Sequence, residues 1–203
     1  MGILEKMGLI PKKDSLPELK DDKVGRLNFY AGIGSRNTPN MILELMRDIA
    51  YALANKGWIL RTGQAQGADN AFERGANYWA WKKNDFKSVI KEIYLAKDST
   101  PTSIALAHEC FEFQKVDHIW RGLASYVQEL HGRNMQQVLG YSLDKPVRAV
   151  ICWTPDGVED GSKVNLYTGG TRTAIWCAWK MKIPVINLNR AGRVAQIREK
   201  LSI

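Results

Sequence analysis

The chain has 203 residues, 45% of them hydrophobic and 25% charged, proportions that exclude a wholly disordered, collagen-like or coiled-coil protein. Folding a chain of this length buries roughly 70% of its extended surface, enough for a core without disulfide or metal staples. Lysine and arginine exceed aspartate and glutamate by 29 to 21, giving +8, which favours anionic partners such as nucleotides, nucleic acid or acidic surfaces.

No stretch reaches the roughly 18 apolar residues of a membrane span, and the opening MGILEKMGLIPKKD lacks the apolar core and small-residue cleavage site of a signal peptide. The expectation is a cytoplasmic protein with no membrane partner. Cys110, Cys152 and Cys177 are odd in number and far apart, so no disulfide framework is expected. There is no CxxC, and His108, His118 and His131 lack the short spacing of zinc ligands, so neither metal nor cofactor is expected.

Residues 1–26 mix charges with two prolines and show no sustained period; they read as an N-terminal arm, with one domain over 27–203. Residues 27–33 (LNFYAGI) form an apolar run ending before Gly34, a buried strand followed by a turn. Thr38 and Pro39 then open a helix that keeps Ile42, Leu45, Met46, Ile49 and Leu53 on one face until Gly57 closes it. Residues 58–61 are the second strand, TGQAQG (62–67) its turn, and Ala68–Lys83 the next helix. A third strand is expected at 93–96, helices at Pro101–Phe113 and about 122–139, and a central strand at 147–153 (VRAVICW). A helix over 171–181, a strand over 184–188 and a helix over 194–201 complete the chain. Strand and helix alternate five times, the signature of a single Rossmann-like α/β domain: a mainly parallel sheet of five or more strands with helices on both faces.

In such a sheet ligands bind beyond the carboxyl ends of the strands. Gly32, Gly34, Ser35 and Arg36 follow the first strand, Gly63 and Gly67 the second, and Gly169, Gly170, Thr171 and Arg172 open the helix after the central strand. Glycines at helix starts let backbone N–H groups approach an anion, so these turns are the expected phosphate cradle. G-x-G-x-x-G and GxxxxGK[ST] are both absent, which argues against an ordinary dinucleotide dehydrogenase or a P-loop NTPase.

The segments GIGSR (32–36), RTGQAQGAD (61–69) and TGGT (168–171) together resemble the SLOG superfamily, the Rossmann-like group that includes the DNA-processing protein DprA and the Lonely Guy phosphoribohydrolases. The first two point to the DprA and YspA-like branches. The resemblance implies binding of nucleotides, nucleotide-derived signals or single-stranded nucleic acid. Lonely Guy enzymes cleave the base–ribose bond of nucleoside monophosphates with the motif P-G-G-x-G-T-x-x-E. Gly169, Gly170 and Thr173 fit that motif, whereas Arg172 replaces its third glycine and Trp176 its glutamate.

The leading expectation is therefore a nucleotide- or single-stranded nucleic-acid-binding protein. A second reading is an N-glycosidase releasing the base from a nucleoside or deoxynucleoside 5′-monophosphate, a third a sensor or sponge for a nucleotide signal. If the chain is an enzyme, its carboxylates are Asp69 and Glu73, four apart near a helix start and so on one face. His131, Arg133, Asn134 and Gln137 form a polar cluster that could clamp a nucleotide, and Trp153 and Thr154 end the central strand where a base would stack. Trp79, Trp81, Trp176 and Trp179 lie at helical spacing and read as core or partner surface; association into a homo-oligomer is left open.

Overall fold

The computed structural model describes Leu16 and residues 27–203. The expected arm at 1–26 thus lies, Leu16 apart, outside the described residues. Five parallel strands form one sheet: β1 (Asn28–Gly32), β2 (Trp58–Thr62), β3 (Lys91–Ile93), β4 (Ala149–Cys152) and β5 (Val185–Asn187), in the order β3-β2-β1-β4-β5. Among the described residues seven helices accompany them: α1 (Asn40–Asn55), α2 (Ala68–Lys83), α3 (Pro101–Phe113), α4 (Asp117–Arg121), α5 (Ser125–Leu139), α6 (Arg172–Lys180) and α7 (Arg193–Leu201). This is the expected Rossmann-like α/β arrangement.

Strand sequences explain the layering. Every residue of β2 (WILRT) and β4 (AVIC) is buried, as strands covered on both faces require. Side chains alternate between the faces. Ile151 and Trp153 pack with the apolar stripes of α1, α2 and α7, whereas Val150 and Cys152 pack with α3, α5 and α6. Strand order reverses between β1 and β4, where Tyr30 pairs with Ala149 and Gly32 with Ile151. That reversal opens a crevice beyond the carboxyl ends of the two strands.

Three elements depart most from the expected ranges, the other boundaries falling within one residue. The third strand is Lys91–Ile93 rather than 93–96, because its charged residues are neutralised at the sheet: Lys91 pairs with Glu73 at 2.6 Å and Glu92 with Arg61 at 2.7 Å. The stretch at 122–139 starts at Ser125, after the separate short helix α4 that Gly122 closes. The central strand ends at Cys152, and Trp153 already belongs to the crossing turn.

Candidate functional site

A cavity of about 560 Å³ occupies the crevice at the strand reversal, within the range of about 300–1,000 Å³ usual for small-ligand sites. Its wall is built from three turns, the first turn of α2 and one face of α5. Gly34, Ser35, Arg36 and Asn37 come from the turn after β1, Ala65 from the turn after β2, Asp69 from the start of α2, Gly169, Gly170 and Thr171 from the turn before α6, and His131, Arg133 and Asn134 from α5. Val127, Leu130, Ile33 and Pro155 supply an apolar side.

Helix starts dominate the polar side. Neither α2 nor α6 has a side chain capping its first N–H groups, so orphan donors and the positive end of each helix are presented at the wall. Gly169 sits at φ +77°, the left-handed region where glycine is favoured, and this kink falls inside the 3₁₀ turn (Leu166–Thr171) that leads into α6. Gly170 has no such constraint: its φ lies outside that region, and a Cβ built on it would meet nothing within 4 Å. Arg36 makes no hydrogen bond or ion pair among the described residues.

One chain of polar contacts couples the turns. Asp69 is buried and accepts from Arg133 Nη1 at 3.2 Å. Arg133 Nη2 donates to Asn134 Oδ1 at 3.1 Å, and Asn134 Nδ2 donates to the carbonyl of Gly170 and to Thr173 Oγ1, both at 3.0 Å. Through α5, the turn after β2 and the turn before α6 are thus held in one geometry. Burial pushes the Asp69 carboxyl above its ordinary range, opposed by the Arg133 guanidinium and the N–H groups of Ala65 and Gly63. With three donors on its two oxygens, Asp69 has little acceptor capacity left for a substrate. His131 is pulled down to about 3 by burial and then by the positive charges of Arg172 and Arg133, so its ring is neutral at physiological pH. Its Nδ1 lies 3.1 Å from Thr173 Oγ1. Arg133 Nε is buried without a hydrogen-bond partner among the described residues.

Of the expected ligand contacts, Gly34, Ser35, Arg36, Asp69, Arg133, Asn134, Gly169, Gly170 and Thr171 line this cavity together. Others lie elsewhere for packing reasons. A Cβ on Gly32 would fall 2.6 Å from the Phe72 ring, one on Gly63 1.9 Å from Arg133 Nη1, and one on Gly67 2.7 Å from the Ser35 carbonyl. These glycines make room for neighbours rather than for a ligand. Trp153 is turned into the core on the α1 side, not outward for stacking. Thr154 is buried, its Oγ1 donating to Asp156 Oδ1 at 2.7 Å and accepting from Asn187 Nδ2 at 2.6 Å. Arg172 lies over the Phe111 ring at 4.4 Å and donates to the Gly169 carbonyl. Glu73 is outside the wall, paired with Lys91, because α2 starts at the cavity and runs away from it. Four residues carry a side chain about 6 Å along the axis. Gln137, a turn beyond Arg133, is wholly buried below the wall.

Asn37, Ala65, Val127 and Leu130 were not expected at a site. Val127 and Leu130 share a helix face with Asn134 at i, i+3 and i+7, a spacing that marks them once Asn134 is chosen. Away from the cavity, donor atoms of His108, Glu112 and Asp117 lie within 4.8 Å of one another. His108 and Arg121 already share the Asp117 carboxylate, so the cluster acts as a polar staple between α3 and α4.

Compared with models of known protein families, with curated proteins and with solved structures, the chain matches none.

Proposed function

We propose that this chain binds a nucleoside 5′-monophosphate, or a nucleotide of similar size, in the cavity at the strand reversal and does not cleave its base–ribose bond. The observation that carries the reading is Gly170, whose missing side chain is demanded neither by backbone conformation nor by a packed neighbour. A residue that could carry a side chain but does not, at an uncapped helix start on a cavity wall, fits close approach of a ligand oxygen. Arg36 supplies an uncommitted cation and Arg133 Nε an unfilled donor. Phosphate is assigned to the side formed by Ser35, Arg36, Gly170 and Thr171, and the base to the side formed by Val127, Leu130 and Pro155. This agrees with what the SLOG resemblance implies. A cavity of this volume favours a single nucleotide over a strand.

Glycosidic cleavage needs a carboxylate free to act at the anomeric carbon. Asp69 is occupied by three donors and Glu73 faces Lys91, so binding without base release is the better-supported reading. The test is calorimetric titration with a panel of nucleoside 5′-monophosphates, followed by chromatography for free base. Binding is expected in the wild type and lost in Gly170→Asp, which places bulk and negative charge in open space and so leaves the fold intact. Wild-type-like affinity in the folded variant would overturn the assignment, and base release abolished by Asp69→Asn would make the chain a glycosidase. Preferential binding of oligonucleotides, with log affinity falling against log salt by about 0.7 per neutralised phosphate, would move the reading to single-stranded nucleic acid.

A further inference from the structure

We infer that the outward face of α1 and α2 is the surface through which two copies of this chain associate about a two-fold axis, a reading independent of the nucleotide assignment. The face carries a row of three rings: Tyr51 lies 5.6 Å from Tyr78, and Tyr78 is stacked on Trp81 at 5.7 Å. Trp81 is 67% and Tyr78 46% exposed. A cavity of about 600 Å³ runs between the two helices, where these rings meet Arg47, Asp48 and Arg74. Exposed tryptophan, tyrosine and arginine in one concave patch is the composition of protein–protein hot spots.

The scaffold beneath is fixed. A Cβ on Gly75 would stand 2.1 Å from the Arg47 carbonyl, so the two helices touch backbone to backbone and hold the rings in place. The charges choose the occupant. Arg47 is engaged by Glu44, whereas Arg74 and Asp48 make no ion pair among the described residues although both line the groove. Glu44 engages Arg47 from outside the groove, Asp48 offsets Arg74 within it, and Lys82, 6.0 Å over the Tyr78 ring, adds one positive charge at the rim. Under a two-fold axis, however, each copy offers the other one uncommitted cation and one uncommitted anion, the self-complementarity of an isologous interface.

The full chain is examined by light scattering after size exclusion at micromolar concentration, where the wild type is expected at twice the 22.9 kDa of one chain. Trp81→Glu is expected to give the single-chain mass. Arg74→Asp and Asp48→Arg should each do so alone, by setting like charges opposite one another. Mixing these two variants should restore the doubled mass, since each then supplies the charge the other lacks. That restoration shows that both fold and that copies of this chain cover the face. A wild type of single-chain mass at its highest soluble concentration would overturn the proposal. So would a dimer indifferent to all three substitutions, or a monomer whose Trp81 fluorescence is quenched by single-stranded oligonucleotides.

Discussion

Gly63 decides whether the polar chain behind the cavity exists. A methyl group there would overlap the Arg133 guanidinium and stand 2.6 Å from the Asp69 carboxylate, so Arg133 would have to let go of Asp69 and Asn134 and turn into the cavity it lines. Gly63→Ala is therefore expected to break a buried ion pair and lower stability by about 3 kcal/mol, read as a lower urea midpoint with nucleotide affinity falling alongside; an unchanged midpoint contradicts the reading. His131 gives a pH signature. In the unfolded chain it takes a proton near 6.5, in the folded chain only near 3, so between these values the unfolded state holds more protons and stability falls as pH falls. The contribution approaches about 1.4 kcal/mol per pH unit. His131→Asn should flatten the decline between pH 6 and pH 4, whatever its stability at neutral pH. Equal slopes in the two proteins would place the His131 pKa near its ordinary value.

Among the elements, the turns were legible in the sequence and their division of labour was not. Glycine after a strand marks a tight approach, but the sequence alone does not say whether the approaching group is a ligand, as assigned at Gly170, or a neighbour, as at Gly63 and Gly67. Trp153 was misplaced because strand alternation turns it inward with Ile151. Glu73 shares a helix face with Asp69, yet distance along the axis removes it from the cavity. The third strand was shifted because Lys91 and Glu92 lack apolar character and are held half-buried at the sheet by partners distant in sequence. Gly75 yields a prediction of reversed sign. In an exposed helix, Gly→Ala stabilises by about 1 kcal/mol, but here the added methyl group meets the Arg47 carbonyl, and overpacking of this kind costs about 1–3 kcal/mol. Gly75→Ala should lower the thermal midpoint; a raised midpoint would show that α1 and α2 separate freely.

At the scale of the molecule, alternation of apolar strand and amphipathic helix sufficed to place a parallel sheet with helices on both faces, because each segment's period is local and strong. The position of the site followed from topology, since the order β3-β2-β1-β4-β5 puts its reversal between β1 and β4. The dense core also sets thiol chemistry. Burial pushes Cys110 and Cys177 up to about 12 and Cys152 well above its ordinary value, so the native protein should leave a thiol-specific dye unreacted, with all three cysteines titrating once urea unfolds the chain. Rapid native labelling would mean that a helix layer opens. The central claim is the phosphate site, and a crystal structure of the chain soaked with a nucleoside 5′-monophosphate tests it most directly. The account predicts phosphate oxygens about 3 Å from the backbone N–H groups at Gly170 and Thr171, with Arg36 closing over them. A phosphate bound away from these turns, or a cavity that stays empty at saturating nucleotide, would contradict it.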